Sequence, residues 1–311
     1  MAIADPPVPP TFSLQGSAAR RRRESVVAGV LFAAALSTVV VSAFIVYTVV
    51  VEAARFLLSI DLGDLVAIGW FPRRGMFDIL TLILGTLMVT VIAMAVATPV
   101  GLGSAVFLAE YASPRTRSIV KPVLEVLAGI PSVVLGFFAL TVINPAIVQG
   151  LVPEAPAFTI LAAGLAVGIL SIPLVASVSE DAMRAVPSAL REASYGLGAR
   201  RLTTSVQVVF PAAISGIVAA LILATSRAIG ETMVVALAAG ATGGGVRSVD
   251  PLAPGQTMTA AMAALATGSD NVVGVGNAFQ SLFFVGALLF VITLCLNVLG
   301  DAFVRRTRQR Y

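Results

Sequence analysis

Two charges stand where an apolar chain tolerates them least. In Ser226-Arg227-Ala228-Ile229-Gly230-Glu231-Thr232-Met233, Arg227 and Glu231 lie four residues apart inside an apolar run that extends from Pro211 to about residue 238. On a continuous helix that spacing puts both on one face. A charge at the centre of a membrane costs about 3 kcal/mol on insertion scales, so it ordinarily faces a partner charge, a cavity or a passing ligand. Two readings stand side by side. The pair neutralises itself, or Arg227 offers a planar donor fork to an anion while Glu231 holds its rotamer or closes the path when it is empty. Ser132, Thr225, Ser226 and Thr232 are candidate hydroxyl donors on the same path, although hydroxyls in membrane helices more often bond their own backbone.

A second constellation is a polar island between apolar runs. It reads Arg191-Glu192-Ala193-Ser194-Tyr195-Gly196-Leu197-Gly198 and, after nine residues, Val208-Val209-Phe210-Pro211. The segment 180–207 is expected to form a short helix and turn that projects into water, with an ordinary Gly stop as the plainest account and a docking surface for another subunit as the functional one. Arg184, Arg191, Arg200 and Arg201 are available for acidic residues of such a subunit, or serve only as topology signals.

Composition removes whole classes of chemistry. Of 311 residues, 58% are hydrophobic and 12% charged, against about 25% charged in an ordinary soluble chain; this is an integral membrane protein. There is no His and a single Cys, Cys295, which argues against zinc sites and against triads built on His. Lys121 is the only lysine and follows Val120, so no Walker loop, whose Lys follows Gly, is present. The chain is expected to be no enzyme and to hold no cofactor; ATP, if used, is hydrolysed by a separate subunit.

The elements that must position these residues follow from the hydropathy. Residues 1–24, with Pro6, Pro7, Pro9 and Pro10 and then Arg20 to Arg23, read as a disordered tail. A six-helix membrane domain fills 25–304, and 305–311 form a basic tail. The expected spans cover about 26–51, 79–108, 119–148, 158–178, 211–238 and 278–298, each long enough for a bilayer or nearly so. The second should kink or loosen at Pro99-Val100-Gly101-Leu102-Gly103, and the third is interrupted at Gly129-Ile130-Pro131-Ser132 and Asn144-Pro145. Broken helices in lipid need protein or water around them, so the third span should line the interior, unless these are ordinary Pro kinks. Gly164 and Gly168 allow close packing in the fourth. Trp70-Phe71-Pro72 suits an interfacial aromatic anchor, Lys121 and Glu125 are spaced for a helical ion pair, and 258–266 within the loop 239–278 is too short to cross. With six spans, 15 of the 20 Lys and Arg residues fall on the side of both termini and of the Glu192 island. The positive-inside rule makes that side cytoplasmic.

The polar island, with Glu192, Ala193, Gly198 and Pro211 at matching spacing and Ser194, Val208 and Phe210 as conservative departures, resembles the coupling loop of ABC importer permeases. Further motifs narrow this: Trp70-Phe71-Pro72, Gly85-Thr86-Leu87, Phe107-Leu108-Ala109-Glu110-Tyr111, 121–134 (Lys121-Pro122 through Gly129-Ile130-Pro131-Ser132-Val133-Val134) and Arg227-Ala228-Ile229-Gly230-Glu231-Thr232-Met233. Together they are similar to the C-type permease of bacterial high-affinity phosphate importers, over about residues 65–300. The resemblance implies an all-α permease of six transmembrane helices with type I importer architecture. It sits in the bacterial inner membrane with cytoplasmic termini. Its implied partners are a homologous A-type permease, two ATPase subunits and an extracytoplasmic phosphate-binding protein, with no nucleic acid. It also implies that Arg227 and Glu231 belong to the phosphate path and that Arg191, Glu192, Ala193, Ser194, Gly198 and Pro211 belong to the ATPase-coupling loop. The alternatives are a permease for molybdate or sulfate, or an ion-driven carrier; no internal repeat of the kind many carriers show is visible.

Overall fold

The computed structural model describes residues 18–66, 69–240, 245–267 and 277–307 and divides into two units, Met1–Val49 and Val50–Tyr311. Helix α1 (Ala18–Ser59) begins in the first. From Arg22 to Tyr47 every side chain of that unit is exposed, so its apolar residues have no cover from within it. The expected tail is shorter than 1–24. Ala, Arg and Glu are strong helix formers, and with no Gly or Pro between residues 18 and 28 the basic run joins the helix. Residues 1–17 of the expected tail lie outside the described residues.

The second unit opens with the end of α1 and a small hairpin, β1 (Trp70–Phe71) against β2 (Met76–Phe77). Gly75, at φ +75°, closes the turn, a conformation that costs Gly nothing. Trp70 is not an interfacial anchor. It is buried with Phe56, Phe77, Leu82 and Met258, because its strand also bridges to Gly245 and so is covered on both sides.

Helix α2 (Ile79–Val106) is capped by Asp78 and remains helical through Pro99, ending in a π-helical turn, Phe107–Tyr111. The expected loosening at 99–103 is absent, and the glycine there serves close packing: a Cβ on Gly101 would lie 2.7 Å from Val175 Cβ. The apolar stretch 119–148 is two elements, not one broken span. Helix α3 (Pro114–Ala128) stops at Gly129, and after Pro131 a new helix α4 (Ser132–Phe138) continues through a π-helical segment, Ala139–Val148, into α5 (Gln149–Leu151). Pro145 lacks an N–H, and the wider π turns absorb the gap. Asn144 beside it is buried, giving Nδ2 to the carbonyls of Pro156 and Ala157 and accepting from Thr159 Oγ1.

Helix α6 (Ile160–Arg184) runs parallel to α2. Gly164 faces Ile92, Gly168 faces Ala93 and Val96, and Val175 faces Gly101. A Cβ on Gly164 would come within 2.6 Å of Ile92, and one on Gly168 within 2.9 Å of the Ala93 carbonyl; the small-residue spacing does bring two backbones together.

The chain then forms α7 (Ser188–Gly196), α8 (Arg201–Thr204), a π turn Ser205–Val209 and α9 (Phe210–Ala212). It bends by 71° into α10 (Ile214–Ile229). After a break come α11 (Met233–Val235) and a π turn, Ala236–Gly240. Helix α12 (Met258–Thr267) packs on α2 and α13 (Ala278–Thr307). Of the expected loop 239–278, residues 241–244 and 268–276 lie outside the described residues; of the expected basic tail, 305–307 extend α13 and 308–311 lie outside. Among the described residues five helices are long and apolar enough to cross a membrane, six when the bent pair ending in α10 counts as one span.

Candidate functional site

The residues singled out above fall into two places. The first is the corner between α7 and α8. Glu192, Ala193, Gly198 and Pro211 are exposed, and Leu197 at the tip is 91% exposed. Gly198 takes φ +79°, the left-handed conformation that ends a helix most easily in Gly, and its N–H bonds the Tyr195 carbonyl at 2.9 Å. Ser194 faces inward, 2.9 Å from Thr204 Oγ1, and so ties the two arms of the corner together. Pro211 opens α9 just before the 71° bend.

Arg191 does not face outward with Glu192. Its Nε and Nη2 donate to Glu110 Oε1 at 3.2 and 3.0 Å, Nη1 to the Val186 carbonyl at 2.7 Å and Nη2 to the Met183 carbonyl at 2.8 Å. With these bonds its guanidinium is committed inside the chain rather than open to another subunit. Arg201 lies over the Tyr111 ring at 5.2 Å, which is a cation–π distance.

The second place is the pair of helix breaks at 129–131 and 230–232. Their helices meet: Gly136 of α4 lies so near α11 that a Cβ there would be 3.0 Å from the Met233 carbonyl and Val234 Cα. Arg227 and Glu231 do not share a continuous helix face, because α10 ends at Ile229 and Gly230 caps it. Among the described residues they form no ion pair, and Arg227 is exposed with no carboxylate against it. Glu231 turns along the chain instead, 3.5 Å from the Val234 N–H, and its carbonyl accepts from Thr259 Oγ1 at 2.7 Å. Of the candidate hydroxyls, Thr225 donates to the Leu221 carbonyl, Thr232 to that of Gly230 and Ser226 to Asn297 Oδ1. Ser132, first residue of α4 and half-buried, has no hydrogen-bond partner among the described residues.

Several polar residues in the fold were not foreseen. Lys121 does not pair with Glu125, which is exposed. It reaches Glu180 Oε2 at 2.8 Å and Asp181 Oδ1 at 2.6 Å. Glu180 is fully buried and also meets Arg117 at 2.8 Å and Arg184 at 3.9 Å. Burial alone would lower the Lys121 ammonium, but hydrogen bonds from it to Asp181 and Glu180 prevail and raise it above its ordinary 10.5. At the hairpin, buried Asp78 accepts from Gly69 N, Leu80 N, Thr81 Oγ1 and Arg247 Nη2. Burial pushes its carboxyl up, yet these donors, Arg247 first, hold it below its ordinary 3.8. Glu110 and Glu180 carried a signal in the sequence, each a carboxylate at the last turn of an apolar run, Glu180 with Asp181 directly after it.

Residues 97–309 match the family described as binding-protein-dependent transport system inner membrane component. The chain is 36% identical over 180 residues to a probable ABC transporter permease protein of Bacillus subtilis, YqgH, covering 57% of this chain and 58% of that one. It is 34% identical over 256 residues to the phosphate transport system permease protein PstC 1 of Mycobacterium tuberculosis, covering 76% and 75%. Among solved structures, an inward-facing form of the MetNI methionine ABC transporter aligns with TM-score 0.54 over 74% of this chain and 96% of that one, at 17% identity, a likeness of fold alone.

Proposed function

The chain belongs to the inner-membrane components of binding-protein-dependent transport systems, and from that premise we propose that it is the C-type permease subunit of an ATP-driven importer of inorganic phosphate. The observation that carries this reading is Arg227, a cation at a helix break with no counter-charge among the described residues, in a chain similar to relatives named as phosphate transport permeases. An unpaired guanidinium favours an oxyanion, and its fork matches two phosphate oxygens.

In this reading a homologous A-type permease completes the pathway, two ATPase subunits sit at the cytoplasmic corner and an extracytoplasmic binding protein delivers phosphate. Both termini are cytoplasmic. Arg227 attracts and orients the anion. Ser132, with its donor unused, adds a hydroxyl from the facing break, whereas Thr225, Ser226 and Thr232 hold backbone and neighbouring helix. Glu231, turned toward the α11 backbone, leaves Arg227 open instead of quenching it. Glu192, Ala193, Leu197 and Gly198 present the docking corner; Arg191, Ser194 and Pro211 shape it from behind. No ATP or other cofactor is held by this chain.

Uptake of labelled phosphate into vesicles that carry the co-expressed complex tests the reading, with binding protein outside, ATP inside, and molybdate or sulfate as competitors. Uptake that needs both ATP and binding protein and ignores the competitors is the expected result. Strong competition would move the substrate to another oxyanion, and uptake without ATP would favour an ion-driven carrier.

A further inference from the structure

The corner that carries Glu192 follows α6 and precedes α10 in the chain, but it is 81 residues removed from α2 at its tie to Glu110. The structure nonetheless joins it to α2 at two adjacent residues. Glu110, buried in the π-helical turn Phe107–Tyr111, accepts two hydrogen bonds from Arg191 on α7. Tyr111, the next residue, lies under the guanidinium of Arg201, which opens α8 on the other side of Gly198. One turn therefore grips both arms of the corner. Beneath them Leu190 of α7 packs into a cluster with Ala105 of α2 and with Met183, Val186 and Val209. The remaining donors of Arg191 fasten the last turn of α6 at Met183 and the Val186 carbonyl beyond it.

We propose that the turn Phe107–Tyr111, through Glu110, is the transmission point by which force on the exposed corner enters α2. The inference rests on the transport reading above and adds to it a positioning residue and a direction of travel. A charge-assisted pair held by two bonds, here both to Oε1, resists separation, and the bonds of the same guanidinium to the Met183 and Val186 carbonyls fix its orientation. A buried carboxylate has no water to turn to when its partner leaves. The corner and α2 thus move as one body, and α6, packed glycine to side chain against α2, moves with them.

The test uses the assembled complex with Cys295→Ser and spin labels at Tyr195→Cys on α7 and Val100→Cys on α2, both exposed positions. Distances are measured without nucleotide and with ATP trapped by vanadate. With Glu110 intact the label distance stays within about 2 Å between the two states. In Glu110→Ala it shifts or broadens by several Å. Phosphate taken up per ATP hydrolysed falls about tenfold in Glu110→Ala and a few-fold in Glu110→Gln, which keeps the acceptor oxygen, while Arg191→Lys falls between them and the ATPase subunits still co-purify. A narrow, nucleotide-independent distance in Glu110→Ala, or an unchanged uptake ratio, overturns the proposal. If Glu110→Ala does not assemble, Glu110→Gln decides by the same two readouts. If the parent complex moves no phosphate, the transport reading fails, and the label distances still decide the tether.

Discussion

The Arg-rich end of the molecule and the pair of helix breaks treat charge in opposite ways. At the first, Glu110 is closed by Arg191, and Glu180 by Arg117 and Lys121 with Arg184 at the margin. At the second, Arg227 and Glu231 are close in sequence and yet unpaired. Buried paired charges fix geometry, since removing one member leaves the other uncompensated. An open charge in a polar break does little for stability and is available to a ligand. In the proposed reading, the same residue types serve as fasteners in one place and as a receptor in the other.

The largest effect that sharpens this contrast is expected from Glu180→Ala. It removes the buried carboxylate that Arg117 and Lys121 share, both of them half-buried and Lys121 still held by Asp181, and should cost about 3 kcal/mol, read as a fall in the thermal midpoint of the complex in detergent. An unchanged midpoint would break the contrast on the fastening side. Next comes Arg227→Gln, which should lower phosphate uptake roughly a hundredfold, about 2.7 kcal/mol in rate terms, with the midpoint unmoved. If instead the midpoint falls and uptake survives, Arg227 is a fastener too. Gly168→Val is expected to cost about 1–3 kcal/mol by forcing α2 from α6, seen as reduced yield of folded permease, whereas Gly103→Val, with nothing near its Cβ, should be neutral. The smallest effect concerns pH. The Asp78 carboxyl is held below 3.8, so its contribution is complete above that ordinary value and is lost as pH falls through the lower folded value. The Asp78 to Arg247 tie should therefore be insensitive to pH between 5 and 8. The mobility of a spin label attached at neutral pH to Val249→Cys, in a Cys295→Ser background, would report any loosening and should rise only in stronger acid.

Much of this was legible in the residues, and the limits have physical causes. Long apolar runs gave the spans, and Gly164 with Gly168 gave the α2 to α6 seam, because both signals are local. Gly198 and Pro211 marked the corner and the bend for the same reason. The division of 119–148 was misread because hydropathy alone does not separate an amphipathic helix from a crossing one; Gly129 and Pro131 mark the true boundary. The shared face of Arg227 and Glu231 assumed an unbroken helix, and Gly230 ended it. The partners of Lys121, Arg191 and Asp78 lie 59, 81 and 169 residues away, distances at which helical periodicity carries no information.

The close seam between α2 and α6 limits how the molecule can change shape. Where Gly101, Gly164 and Gly168 leave under 3 Å for an added Cβ, the two helices interlock and cannot slide or roll past each other without clashes along their length. The degrees of freedom left for alternating access are then few. They are expected at the backbone joints at 129–131, 213 and 230–232, on which a stiff two-helix strut would swing as on three short hinges.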